Sequence, residues 1–298
     1  MLERALQSCA GINPPPTCAL EFIIAENGPE KTAQSVIKKF DDRLNIQLIN
    51  EPRIGVVHAR NACIEQFLKG TSDWMVSFDD DVIVSSGWLQ ALLLAIPAYP
   101  DCKVFAGPQV RLASKNAGRW LPHRPFPALK TGTINWNAST ANVIFNRIIF
   151  DPDGLNLRFD PAFNLSGGED TRMFYMLKDL KQNIRWISDA IVTEPTPETR
   201  ATFKARASRF ILQAHNWGRL NVIRFGPLWG RALVFWFMFA SALNVLTLGL
   251  IGVFALVYSE RLGIKVFNKS LINGCEAIGY FRALFLSHSQ FYARTDGD

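Results

Sequence analysis

Asp79, Asp80 and Asp81 close an apolar run, Trp74-Met75-Val76-Ser77-Phe78. A short apolar segment rich in large side chains reads as a buried strand. That puts the three acids at the strand's carboxyl end, where open α/β sheets bind ligands. Adjacent carboxylates repel one another, so a site that holds them together needs a compensating cation. Oxygen-only donors select a hard ion such as Mg²⁺ or Mn²⁺, often shared with phosphates. A solvated acidic turn is the competing reading of the triplet taken alone.

A second acidic cluster lies downstream, in Asn164-Leu165-Ser166-Gly167-Gly168-Glu169-Asp170. Two glycines let the backbone turn sharply or approach a ligand. Glu169 and Asp170 then open an expected helix, with Met173, Phe174, Leu177 and Leu180 on its apolar face. Acids in a first helical turn also serve as ordinary dipole partners, so this motif, too, has a structural alternative.

Four segments follow one another in order: Glu21-Phe22-Ile23-Ile24-Ala25-Glu26-Asn27-Gly28, Ala59-Arg60-Asn61-Ala62, Phe78-Asp79-Asp80-Asp81 and Gly167-Gly168-Glu169-Asp170. This ordered set resembles the inverting family 2 glycosyltransferases of the GT-A fold, over roughly residues 1 to 220. The resemblance implies an α/β domain with a mostly parallel sheet flanked by helices. It also implies transfer of a sugar from a nucleotide-sugar donor, most plausibly UDP-linked, to a lipid-linked or polysaccharide acceptor. Asp81 is implied as the main metal ligand, with Asp79 facing the ribose and sharing the metal. Asp80 falls where the family often has a neutral residue. Asp170 is implied as the base that activates the acceptor hydroxyl, with Glu169 orienting it or gripping the acceptor. Glu26 stands where the family usually shows an aspartate, and it joins Asn27, Arg60, Asp80 and Asn142 as the expected nucleotide-sugar-binding set. One departure is visible. Family members begin with an apolar strand, whereas Met1-Leu2-Glu3-Arg4-Ala5-Leu6 already reads as a helix, so a start upstream of Met1 is expected.

Composition agrees with an α/β enzyme. The 298 residues are 48% hydrophobic, enough for a large core, and the net charge is +6. A basic balance fits phosphorylated substrates or anionic lipid. No compact Lys/Arg block, zinc-finger or RNA-binding signature occurs, so nucleic acid is not an expected partner. The five cysteines are scattered without metal spacing and read as small buried side chains in a reducing compartment. His58, His123, His215 and His288 form no ligand pair, though His58 lies near Arg60 in sequence.

Helix and strand patterns alternate through the first half: helices over 2–10, 31–40, 56–68 and 88–96, and strands over 19–25, 46–50 and 74–78, with a further strand from 104. Residues 112–131 form a proline-rich loop expected to border the acceptor, where Arg119, Trp120, His123 and Arg124 could grip an anionic or sugar-bearing group. Residues 195–225 read as a basic helix. Ala232 to Tyr258 contains no charge. At about 1.5 Å per residue it is roughly 40 Å long, enough for a single tilted span or a broken re-entrant helix but not for two spans. Arg219, Arg224 and Arg231 before it balance Arg261, Lys265 and Lys269 after it, so charge does not orient it. Leu271, Cys275, Ile278 and Phe285 continue at helical spacing, a stripe for a headgroup region or for the catalytic domain. The expected organisation is a catalytic domain over 1–225, a membrane segment over 226–262 and an amphipathic tail over 263–298, at the inner or plasma membrane with the catalytic domain in the cytoplasm. The rival from another class is a catalytically impaired, membrane-anchored nucleotide-sugar-binding or scaffold protein.

Overall fold

A computed structural model describes residues 1–28, 31–112, 118–122 and 128–285. Within these, two compact units form. One takes in residues up to 112, 128–164 and 169–195; the other takes in 118–122, 165–168 and 196–285.

The first unit opens with α1 (Leu2–Cys9), then alternates β1 (Phe22–Glu26), α2 (Ala33–Ile37), β2 (Ile46–Asn50), α3 (Val56–Lys69), β3 (Trp74–Ser77), β4 (Ile83–Val84), α4 (Trp88–Ala98), β5 (Val104–Ala106) and β6 (Gln109–Leu112). After the long loop come β7 (Val143–Asn146), α5 (Glu169–Asp179), β8 (Ile184–Trp186) and β9 (Val192–Pro195). The main sheet has the order β3-β7-β5-β8, and two smaller sheets have the orders β1-β2 and β4-β9-β6. β7 runs antiparallel to both β3 and β5, while β5 and β8 are parallel, so a single reversed strand interrupts an otherwise parallel arrangement in this sheet.

Alternation along the strands builds two cores. Val104, Ala106, Val143, Phe145 and Met75 face α3 and α5, whereas Phe105, Ile144, Trp74 and Val76 face α4. This is the period-two geometry of a strand covered on both sides. β5 is buried at every residue, but β1 and β3 are half-buried along their whole length. The expected family strand has no counterpart among the described residues, and the β1-β2 pair shares no ladder with the β3-containing sheet. Several boundaries differ from expectation. α2 covers only Ala33–Ile37, and Leu180 lies beyond α5 and is exposed, while Met173, Phe174 and Leu177 are buried.

The second unit is helical. α6 runs from Phe203 to Tyr258 but breaks at Gly226, whose φ of 79° and ψ of 168° lie outside helical space. Pro227 follows, lacks an N–H and cannot continue the preceding ladder. The limb 227–258 doubles back on the limb 203–225: a Cβ on Gly230 would meet the backbone of Asn221 and Val222, and one on Gly218 would meet Val234. At Ser259 the backbone is extended and the chain turns again into α7 (Glu260–Phe285). α7 returns antiparallel along 227–258. Leu256 meets Gly263, Phe267 meets Gly252, and the Ser270 hydroxyl donates to the Val245 carbonyl at 3.0 Å. Glycines at these crossings let the backbones approach. The uncharged segment is thus one side of a helical hairpin, with α7 as its partner. Within this unit the described part of the proline-rich loop is tied to the helices. Arg206 donates to the carbonyls of Gly118 and Trp120, Asn268 bonds Leu121 and Arg119 through their backbones, and Arg119 pairs with Glu260 at 3.0 Å.

Candidate functional site

The site forms around α3, whose first turn is set by asparagines. Gly55 caps the helix with φ of 123°, and a Cβ there would collide with the Asn164 side chain. Asn164 Oδ1 accepts from Val57 N at 3.1 Å and its Nδ2 donates to the Ile54 carbonyl at 2.8 Å. Asn27 Oδ1 accepts from Gly55 N at 2.7 Å, and its Nδ2 reaches the carbonyls of Glu51 and Arg53. Asn61 exchanges two 2.9 Å bonds with the backbone of Phe159. These bonds satisfy orphan groups at the helix start and at loop turns, and they fix the direction in which Arg60 projects.

Arg60 connects the two acidic motifs. Its Nη2 donates to Asp79 Oδ1 at 3.1 Å, and its Nη1 donates to Glu169 Oε1 in a short ion pair. The guanidinium lies 5.6 Å from the centre of the Phe159 ring. Side-chain exposure is 15% for Arg60, 9% for Glu169 and 42% for Asp79, so the Glu169 arm is buried and the Asp79 arm faces solvent. Burial disfavours the arginine's charge, yet the combined field of Asp79, Glu169 and Asp170 outweighs it and holds the proton more tightly than usual. Burial raises the Glu169 pKa above the ordinary carboxylate value, with Asp170 adding to the rise and Arg60 opposing it. Glu169 Oε2 is buried without a protein partner.

The acidic triplet sits on the turn between β3 and β4, closed by a bond from Val82 N to the Asp79 carbonyl at 3.3 Å. Asp80 is exposed, and Asp79 and Asp81 are half-buried. Asp170, half-buried, accepts from Thr171 N at 2.6 Å and from the Thr171 hydroxyl at 3.2 Å through one oxygen. Just before the acid pair, Gly167 and Gly168 take φ of 72° and 86°, the left-handed conformation that glycine adopts without strain.

Other expected site residues are placed differently. Glu26 Oε1 caps α2 by accepting from Ala33 N at 2.8 Å. Asn27 has both ends of its amide in the loop before α3, as described. Asn142 is a correction: it is 1% exposed and its amide is fully used, accepting from the Trp88 indole at 2.9 Å and donating to the carbonyls of Pro108 and Ala190. It fastens the core where four segments meet, with its side chain closed off from solvent. His58 lines a cleft of about 440 Å³ with Glu51, Arg53, Glu65, Lys69 and Arg158, whose lining includes neither Arg60 nor any residue of the two acid motifs. His123 and Arg124 lie outside the described residues.

Among the described residues, no group of three His, Cys, Asp or Glu side chains is arranged to hold a metal. Asp79 and Asp81 nevertheless fit a hard divalent ion by donor chemistry. Mg²⁺ sites commonly use one or two carboxylates and take their remaining ligands from water and substrate phosphates.

Sequence reasoning overlooked one contributor. In the helical unit, Asn216 Nδ2 donates to the Ser166 carbonyl at 2.8 Å, and Arg219 donates to the Ser166 hydroxyl at 2.8 Å. A Cβ on Gly168 would approach Asn216 Cβ to 3.0 Å. α6 therefore clasps the loop that passes directly into Glu169. A buried asparagine in an apolar and basic helix was the available signal.

The family described as glycosyl transferase family 2 matches residues 1–166. The succinoglycan biosynthesis protein ExoM of Rhizobium meliloti (strain 1021) is 29% identical over 228 residues, covering 74% of this chain and 71% of that protein. The crystal structure of S. aureus TarS 1–349 superimposes with a TM-score of 0.51 at 16% identity, covering 94% of this chain and 87% of that one. TarS 1–349 in complex with UDP-GlcNAc gives 0.52 at 14% identity, covering 91% and 86%. At such identities the structural likeness speaks for the fold alone, and the family match over more than half of the sequence decides membership: the chain belongs to glycosyl transferase family 2 and is a glycosyltransferase.

Proposed function

We propose that the enzyme moves a sugar from a UDP-linked donor to a lipid-linked or polysaccharide acceptor, with inversion and with dependence on a divalent cation, at a membrane surface. The observation that carries this reading is the shared guanidinium of Arg60, which brings the triplet acid Asp79 and the acid-pair residue Glu169 to one point. The complexes of TarS with UDP and UDP-GlcNAc support the choice of donor, and the role of ExoM in succinoglycan biosynthesis supports a polysaccharide acceptor.

Asp170 is the proposed base. It removes the proton from the acceptor hydroxyl as that oxygen bonds to the anomeric carbon, while the bond from that carbon to the diphosphate oxygen breaks and its electron pair leaves with UDP. Glu169 is less suited to this task because one oxygen is held by Arg60 and the group is buried. It positions the guanidinium and the start of α5. Asp79 and Asp81 would hold a divalent ion, which when bound neutralises charge on the departing diphosphate. Arg60, with its charge secured, faces the same developing anion. Glu26, Asn27 and Asp80 complete the donor side in this proposal, Glu26 and Asn27 by shaping the loops beyond β1.

Detergent-purified enzyme incubated with UDP-sugars and an acceptor extract tests the reading. A product of inverted anomeric configuration by NMR, lost with EDTA and restored with Mn²⁺, is expected. Retained configuration or undiminished rates in EDTA contradict it. A second reading, donor binding without turnover, draws on the half-exposed strands β1 and β3 and their separate ladders. Calorimetric binding of UDP-sugar with no release of UDP would favour it.

A further inference from the structure

We propose that the helical unit docks in a single leaflet of an anionic membrane, lying in the interface plane instead of crossing the bilayer. This deepens the membrane-surface reading above and rests on it.

The limb 227–258 carries a continuous apolar stripe. Trp229, Trp236, Leu243, Leu250 and Val257 recur every seven residues and are 74%, 63%, 50%, 65% and 81% exposed. Side chains seven apart lie on one face of a helix. The stripe is roughly 42 Å long at 1.5 Å per residue, far beyond the scattered apolar residues of an ordinary soluble surface. α7 adds Leu271, Ile278 and Phe285, again seven apart and exposed.

The partner of this limb rules against a crossing. The hairpin is in register from Leu256–Gly263 back to Val245–Gly274, so any depth reached by 245–256 is shared by 263–274. Lys265 and Lys269 lie in that stretch and are exposed. Lys269 is about 15 Å from the tip at Ser259, close to the middle of a hydrocarbon layer about 30 Å thick. Exposed charges at that depth are among the most costly residues for a membrane. Lying flat, the same hairpin keeps its lysines at headgroup level and its tryptophans at the boundary they favour.

Charge selects the surface. Residues 227–285 contain Arg231, Arg261, Lys265, Lys269 and Arg282 against Glu260 and Glu276. Glu260 is already paired with Arg119. Arg261, Lys265 and Lys269 follow one another at four-residue spacing, on a different arc of α7 from Leu271, Ile278 and Phe285. A cationic arc beside an apolar stripe complements an anionic lipid interface.

The full chain with Ser259→Cys, labelled with a dithionite-reducible NBD group, is added to preformed vesicles; the parent chain, labelled in parallel, corrects for the native cysteines. Binding to phosphatidylcholine–phosphatidylglycerol vesicles, weakened by salt, is expected, and external dithionite should reduce the tip label of the bound protein. Lys265→Gln and Lys269→Gln should each weaken that binding about fivefold, and Leu250→Glu should weaken binding to neutral and anionic vesicles alike. A tip label protected until detergent is added overturns the proposal in favour of a span and leaves membrane attachment intact. A soluble oligomer that ignores both vesicle types overturns the docking surface itself. Release of UDP by the same preparations in detergent reports separately on the transferase reading.

Discussion

Arg60 on α3 and Glu169 at the start of α5 form a buried ion pair, and the second arm of the same guanidinium holds Asp79 beside the β3 turn. Removing the arginine leaves Glu169 buried without a counter-charge, a change that commonly costs about 3–5 kcal/mol. Arg60→Met should therefore destabilise the fold most at neutral and alkaline pH. Because burial raises the Glu169 pKa, the folded chain binds that proton more tightly than the unfolded chain does; the stability linked to it is present at low pH and lost as pH rises through the folded-state pKa. Denaturant unfolding should show the deficit shrinking towards acid, and Glu169→Gln in the Arg60→Met background should restore most of it.

The clasp on the glycine loop gives a kinetic prediction. Asn216→Leu and Arg219→Met each remove a bond to Ser166, two residues before the glycine that precedes Glu169. Loosening this loop frees the residues that lead directly into the acid pair. Values of kcat should fall about tenfold to a hundredfold, while the donor KM stays within a factor of a few. An equal rise in KM with unchanged kcat would mean the clasp serves binding instead.

Asn142 should behave as a core residue. Its amide joins Trp88, Pro108 and Ala190 out of contact with solvent. Asn142→Leu leaves those groups unpaired and should cost about 1–3 kcal/mol for each group stranded, lowering Tm. Activity at a temperature where the variant remains folded should be nearly unchanged.

Acid stability has a separate source. Side-chain and backbone hydrogen bonds from Arg53 pull the Glu51 pKa down from 4.5 to about 2. A lowered carboxylate stabilises the fold above its unfolded pKa, and that contribution disappears as pH falls through the folded one. Stability should decline between about pH 4.5 and 2 in the parent chain, and Arg53→Ala should flatten that part of the unfolding profile.

Much of the scaffold was legible in sequence because strand periodicity is strong: β2 and β5 fall where the apolar runs put them, and α3 differs by one residue. The acid motifs stood out because they occur in order in the resemblance, although each taken alone also reads as a solvated turn or a dipole partner. What held them together was not legible. Arg60 was expected to meet the nucleotide, and its pairing with Glu169 spans 109 positions that no local pattern encodes. Asn142 was expected on the donor side from the resemblance; its partners Trp88, Pro108 and Ala190 lie 54, 34 and 48 positions away, beyond any local pattern. The arrangement of the helical unit was hidden for a related reason. An uncharged run advertises lipid, but whether it crosses depends on its neighbour, and α7 became its partner through glycines whose packing role is invisible until both helices are in place.

The central claim is that Asp170 performs proton removal at a site where the two acid motifs converge. Single-turnover transfer from UDP-sugar by Asp170→Asn, measured beside calorimetric donor binding, tests it most directly. A donor Kd within about threefold of the parent and a transfer rate reduced by about 10² to 10⁴ are expected. A variant that transfers at the parental rate would contradict it.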